Sequence, residues 1–193
     1  MKKTYKIGFA RSALLRESVI IAQLFIKMRD WICIKQEINR ENTLQARTVR
    51  SSDIVFSEIQ KRLSLLSEKQ IELIAEDFPA DVRQLIWIAI CKQYPFIGDF
   101  SMEVFAPAAS ARRLAINHDD YSHFFSSKAD WYPELESVTD KTRSNARQTL
   151  FQIMRQCELI SESNQIIPQM VSKAVQQNTS QTDLAFIPGA LYL

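Results

Sequence analysis

Residues Leu85-Ile86-Trp87-Ile88-Ala89-Ile90-Cys91 form an unbroken apolar run between two prolines, Pro79 and Pro95. A helix built on such a run is apolar nearly all round, so it must be enclosed by other elements and cannot lie on a surface. The run is far shorter than the ~20 residues a membrane span requires, as is the second apolar stretch, Ser18–Ile26. The rest of the chain is therefore expected to wrap around this segment. Three glycines and six prolines among 193 residues are few for a β-rich chain, and the wrapping elements are expected to be helices.

Periodicity supplies those helices. Leu14, Leu15, Ser18, Val19, Ala22, Phe25 and Ile26 recur at steps of three and four, predicting an amphipathic helix over 11–28. A shorter piece follows at Trp31–Ile38. Ser51 or Ser52 caps a helix running to about Leu66, and Ser67 with Gln70 makes a capping box for 68–76. Pro79 opens the enclosed helix, about 80–93, and Pro95 ends it. Pieces over Phe96–Phe105 and Ala108–Ala115 are separated by Pro107. Asn117 caps a helix bearing Tyr121, Phe124 and Phe125, and Pro133 opens one turn. Thr139 or Asp140 caps a long helix to Cys157. Leu159–Ile160 and Gln165–Ile167 around a polar turn predict a small hairpin. Residues 172–183 read as weak helix or loop, and LAFIPGALYL is apolar enough to pack back on the body.

The fold class expected is mainly α: a helical bundle with a helix-turn-helix-like amino-terminal half, residues 1–106, and a winged-helix-like carboxy-terminal half, 107–193, carrying a short β-hairpin. The basic start MKKTYKIGFARSALLRE has no long apolar stretch before a cleavage site, so no signal peptide is read and a cytoplasmic protein is expected. Cys33, Cys91 and Cys157 are widely spaced among apolar neighbours and read as buried free thiols.

Charge is segregated. Residues 1–66 hold 13 Lys/Arg and 6 Asp/Glu, residues 67–138 hold 6 and 12, and residues 139–193 hold 5 and 4. Acids and bases either neutralise each other in space or create a one-sided field. Residues 141–157 carry four cations and no acid, with Lys141, Arg143 and Arg147 in the amino-terminal half. Cations there oppose the helix dipole at ~0.3–1 kcal/mol each. On a wheel, Ala146, Leu150, Ile153, Met154 and Cys157 share the buried face, while Lys141, Ser144, Gln148, Gln152 and Arg155 lie opposite. Such a face suits a polyanion: Arg and Lys meet phosphates, Gln and Ser meet phosphates or base edges. A second candidate is RENTLQARTVRSS, where Arg47 and Arg50 lie beside Ser51 and Ser52 at a helix start. The candidate DNA-contacting residues are Arg40, Arg47, Arg50, Lys61, Arg62, Lys141, Arg143, Ser144, Arg147, Gln148 and Arg155.

The stretches LLRES at 14–18, ENTLQARTVRSS at 41–52, LIWIAICKQYPFI at 85–97, FFSSKADWYPELESVTDKTRSNARQTLFQIMRQCELIS at 124–161, and the terminal LAFIPG carry a resemblance. Together they resemble the BrxA family, small components of the bacteriophage exclusion (BREX) defence systems. The resemblance implies a helical cytoplasmic protein that binds double-stranded DNA, with some likeness to the RNA-binding NusB antitermination proteins. It implies operon partners that include a DNA methyltransferase, a phosphatase-like protein and ATPases.

No catalytic residue, metal or cofactor is expected. His118-Asp119-Asp120 with His123 is the only concentrated polar cluster, and it also describes a helix start where acids are favoured. The chain has too few glycines for a phosphate loop, and no nucleophile elbow. The sequence thus favours a non-catalytic duplex-DNA-binding subunit over a protein scaffold within BREX or an RNA-binding protein.

Overall fold

A computed structural model describes Tyr5, residues 7–9 and residues 12–192. The start of the first expected helix, residue 11, lies outside them. The chain is mainly helical: α1 (Leu15–Met28), α2 (Trp31–Glu41), α3 (Val49–Leu63), α4 (Glu68–Ala75), α5 (Pro79–Gln93), α6 (Pro95–Phe100), α7 (Ala106–Ser110), α8 (His118–Ala129), α9 (Pro133–Glu136), α10 (Asp140–Gln156), α11 (Lys173–Gln177) and α12 (Gln181–Leu184). Strands β1 (Gln169–Val171) and β2 (Ala190–Tyr192) pair in parallel, with Gln169 opposite Ala190 and Val171 opposite Tyr192. No helix among the described residues is long and apolar enough to cross a membrane.

The enclosed helix is α5. Every residue from Gln84 to Cys91 is buried, because α1, α3, α4, α6 and β1 all pack on it. Several of its polar side chains find partners in the carboxy-terminal segment, while Gln84 Oε1 stays buried without one. Trp87 Nε1 donates to the Phe186 carbonyl at 2.7 Å, and Ser101 Oγ donates to the same oxygen at 2.9 Å. Gln84 Nε2 donates to the Met170 carbonyl at 2.9 Å, Ser172 Oγ donates to Asp81 at 3.1 Å, and Lys92 pairs with Asp183 at 3.0 Å. Gln70 on α4 donates to Thr179 at 3.1 Å. Residues 169–187 are thus strapped across α4 and α5 by side chains those helices supply. The apolar LAFIPGALYL is expected to pack back on the body, but local sequence gives no sign of the strands, since each is three residues long and forms only because the other is present.

A second packing centre is aromatic. Phe96 and Phe100 on α6 meet Phe124 on α8 edge-on, at ring separations of 5.1 and 5.4 Å. Tyr5 stacks on Tyr132 at 3.8 Å, and its hydroxyl donates to Asp99. These ring pairs bring the amino-terminal segment, α6, α8 and α9 together.

Capping explains the boundaries. Thr48, not Ser51 or Ser52, caps α3, with Ser51 completing the capping box from inside the helix. Ser67 and Gln70 form the expected box at α4. Thr139 caps α10 by accepting from Thr142 N at 3.2 Å. Asp140 therefore lies inside that helix, and its first turn holds one acid. Pro95 ends α5 and also opens α6, and a single π-helical turn, Ser101–Phe105, runs on into α7, so Pro107 does not divide the segment. The helix expected over Ala108–Ala115 stops at Ser110. Residues Arg112, Arg113 and Leu114 have no apolar face to bury, and Arg112 turns the chain with φ of 55°. The chain then extends, and Leu114 and Ile116 bond backbone to backbone with Ile166 and Asn164. Ile160 bridges Ile166 in antiparallel sense, so the expected hairpin exists as a single rung with a third extended piece beside it.

Gly98 allows α6 to fold back on α5. A Cβ there would stand 2.9 Å from the Cys91 carbonyl oxygen, a backbone atom that cannot yield. Gly98→Ala is expected to lower unfolding free energy by about 1–3 kcal/mol in urea titrations. Gly8→Ala, with nothing within 4 Å of the added carbon, is expected to stay within about 0.5 kcal/mol of the parent.

Candidate nucleic-acid interface

The structure divides the eleven candidate residues into those bound up internally and those left to solvent. Arg62 leaves the surface set entirely. Its side chain is fully buried and donates to the carbonyls of Ala13 at 2.7 Å and Ser12 at 3.1 Å, and to Glu58 at 3.1–3.2 Å. Its position near the helix end suggested exposure, but it faces the loop before α1. There it holds the two carbonyls just ahead of Leu14, whose left-handed φ of 57° starts the helix. Arg40 is exposed but engaged with Glu37 at 2.6 Å and Glu41 at 3.0 Å. Arg155 donates to Asn164 at 2.6 Å and approaches Glu162 at 3.9 Å, which draws it from the outward face of α10 toward the hairpin turn.

Arg47, Arg50, Lys61, Lys141, Arg143 and Arg147 make no ion pair among the described residues. They form two patches. In the first, Arg50 and Lys61 face one open groove of about 650 Å³ between α3 and the Phe9–Tyr94 ring pair. Lys35 lines it too, neutralised by Asp53 at 3.2 Å. Lys61 also borders a second groove with Lys92, which the sequence reading did not include. Arg47 is exposed in the loop entering α3.

The second patch is on α10. The five residues assigned to its inner face are all buried, and Phe151 joins them. Lys141 and Gln148 are exposed, and Ser144 is half-buried. Arg143 does not extend freely: its guanidinium lies over the Phe125 ring at 4.5 Å and donates to the Ser122 carbonyl at 3.0 Å. This contact uses part of the fork and orients the charge without neutralising it. Arg147 keeps its Nε shielded from water without a hydrogen-bond partner.

The polar cluster at α8 resolves into helix-start chemistry. Asp120 accepts from the Asn117 backbone N–H at 2.7 Å and from both Arg113 terminal nitrogens at 2.9 Å. His118 packs its ring edge on Phe151 at 4.8 Å. Partial burial, followed by the Arg147 and Arg155 charges, holds its pKa below the ordinary histidine value, against a smaller opposing effect from Asp119. No cluster of three or more metal-ligating side chains occurs among the described residues. Cys33 is exposed, contrary to expectation, because no described element covers its side of α2. Cys91 and Cys157 are buried, and burial pushes the Cys157 thiol up to about 12.

A mainly helical body, with Arg47, Arg50, Lys61, Lys141, Arg143 and Arg147 free of ion pairs among the described residues, defines a class: a small, mainly helical protein with basic surfaces on two of its helices. The family model for BrxA matches residues 3–182, and the chain belongs to that family. A BREX protein BrxA from Escherichia coli O9:H4 (strain HS) is 25% identical over 177 residues, covering 89% of this chain and 83% of that protein. In fold, the chain is similar to an uncharacterised protein from Magnetospirillum magneticum of known crystal structure, with a TM-score of 0.79, 19% identity, and coverage of 97% of this chain and 100% of that one.

Two outcomes are expected from these contacts. Arg62→Leu should cost about 3–5 kcal/mol in denaturant unfolding, since it removes the charge partner of Glu58, leaving that carboxylate only the Tyr94 hydroxyl among the described residues, and takes the donors from the Ser12 and Ala13 carbonyls. His118 should titrate below 6.5 by NMR, and Arg147→Gln should move it upward by removing a neighbouring cation.

Proposed function

We propose that this protein is a non-catalytic, double-stranded-DNA-binding subunit of a BREX phage-defence system, engaging the phosphate backbone through the basic starts of α3 and α10. The observation that carries the reading is the division of its cations. Arg29, Arg40, Arg62, Lys69 and Arg113 are committed to the chain's own carboxylates. Arg47, Arg50, Lys61, Lys141, Arg143 and Arg147 are not. Cations left without ion pairs on a surface give it a positive field that suits a polyanion. Family membership and the name of the Escherichia coli relative support the BREX assignment. In this reading the protein works in the cytoplasm beside the other BREX proteins: the methyltransferase, the phosphatase-like protein and the ATPases. In this role α10 acts as the recognition helix of a winged-helix-like unit, with the Ile160–Ile166 hairpin as a minimal wing.

A scaffold role is favoured by one feature, the exposure of Trp131 and Leu114, at 79% and 84%, on the surface around α8. It predicts co-purification with BREX proteins and no duplex binding.

Mobility-shift titrations across a salt series test the proposal. Duplex affinity is expected to fall steeply with salt. Arg50→Gln with Lys61→Gln, and separately Lys141→Gln, should weaken binding and flatten the log–log slope by about 0.9 per charge removed. An unshifted duplex, or a slope unchanged in every variant, would falsify it. Stronger retention of RNA than of duplex DNA would move the reading to RNA.

A further inference from the structure

The α10 face carries a second chemistry besides charge. Asn145, Gln148, Thr149 and Gln152 line one shallow polar groove of about 260 Å³. Their spacing of three and four residues places them in one stripe, with Lys141 one turn before Asn145. Asn145, Gln148 and Gln152 are exposed, and none of their amides is hydrogen-bonded to another described residue. The only carboxylate on the helix is Asp140, at its first position, and Arg155 at the other end is drawn off to Asn164. The stripe is therefore a row of uncommitted amides with no charge of its own, entered past a cation.

An amide can donate to a phosphate, but its acceptor oxygen then goes unused, whereas a base edge can use both. A carboxamide presents one donor and one acceptor side by side. In the major groove that pair matches the N7 acceptor and N6 amino donor of adenine, and a threonine methyl matches the thymine methyl. An α-helix fits that groove. From Lys141 to Gln152 the helix rises about 16 Å, and at about 3.4 Å per step along a strand that spans roughly five base pairs.

We infer that the outward face of α10 reads adenines in the DNA major groove through Asn145, Gln148 and Gln152, while Lys141 holds a flanking phosphate. The inference rests on the duplex-binding reading and adds base selection to it. The helix wheel already places Gln148 and Gln152 on the outward face, where Gln reaches phosphates or base edges; the groove adds Asn145 and Thr149 and makes the four a unit.

The test is selection from a randomised short duplex pool, followed by sequencing. The wild-type protein should enrich clustered adenines. Asn145→Ala/Gln148→Ala/Gln152→Ala should retain the unselected pool within about twofold, because the cations remain, yet enrich no base. The enriched duplex rebuilt with 7-deazaadenine, which lacks N7, should bind the wild-type protein about tenfold more weakly, within the ~1–3 kcal/mol of a bidentate base contact. This second measurement uses the unaltered protein and stands even if the triple variant folds poorly. If wild-type protein holds the pool but enriches no adenine, or binds both duplexes equally, base reading by α10 is wrong and phosphate binding survives. If it holds no duplex at all, both readings fall.

Discussion

A helix that is apolar on every side has to be enclosed, and in this protein that requirement falls on α5. Four helices and a strand close around it. Burying a large aliphatic or aromatic side chain contributes roughly 1.5–3 kcal/mol, and α5 presents several in succession without an outward face. Several of the polar groups it does carry bond to the carboxy-terminal segment, through Trp87, Gln84 Nε2 and Asp81. The carboxy-terminal segment is thus held against α4 and α5. This arrangement leaves the outer surfaces of α3 and α10 free of packing duties.

Charge is used in two ways on this framework. Arg62 and Arg50 lie on the same helix, yet one is sealed against Ser12, Ala13 and Glu58 and the other opens onto a groove. The first is a structural staple: a buried guanidinium is tolerated only when its donors are matched. The second is without a carboxylate partner. On α10 the same division recurs, with Arg155 tied to the hairpin turn and Lys141 open to solvent. Arg143 stands between these cases, its plane resting on Phe125 so that the charge is aimed but not cancelled. The segregated charge of the sequence therefore becomes a set of internal ties plus a residue of unpaired cations. That residue is the ground of the proposal that this member of the BrxA family meets a polyanion.

Much of the candidate site was legible before the fold was known, because a helix converts sequence spacing directly into a face. The wheel of α10 separated Ala146, Leu150, Ile153, Met154 and Cys157 from Lys141 and Gln148 correctly. The stripe Asn145–Gln148–Thr149–Gln152 was present in the same spacing, though its acting as a groove depends on side-chain directions. Arg62 and Arg155 could not be sorted this way. Their partners, Ser12, Ala13 and Asn164, come from loops whose paths the helix pattern does not encode.

The sequence by itself determined that the chain is mainly helical, where α2, α4, α5, α8 and α10 run, and that α5 is central, since these follow from periodicity, caps and prolines acting over a few residues. Only the tertiary structure decided that β1 and β2 exist, that the helix after Pro107 stops at Ser110, and which cations are spent internally. The physical reason is range. A cap or an apolar stripe is a local preference of the backbone, whereas a three-residue strand or a buried arginine is stable only through partners far away in the chain.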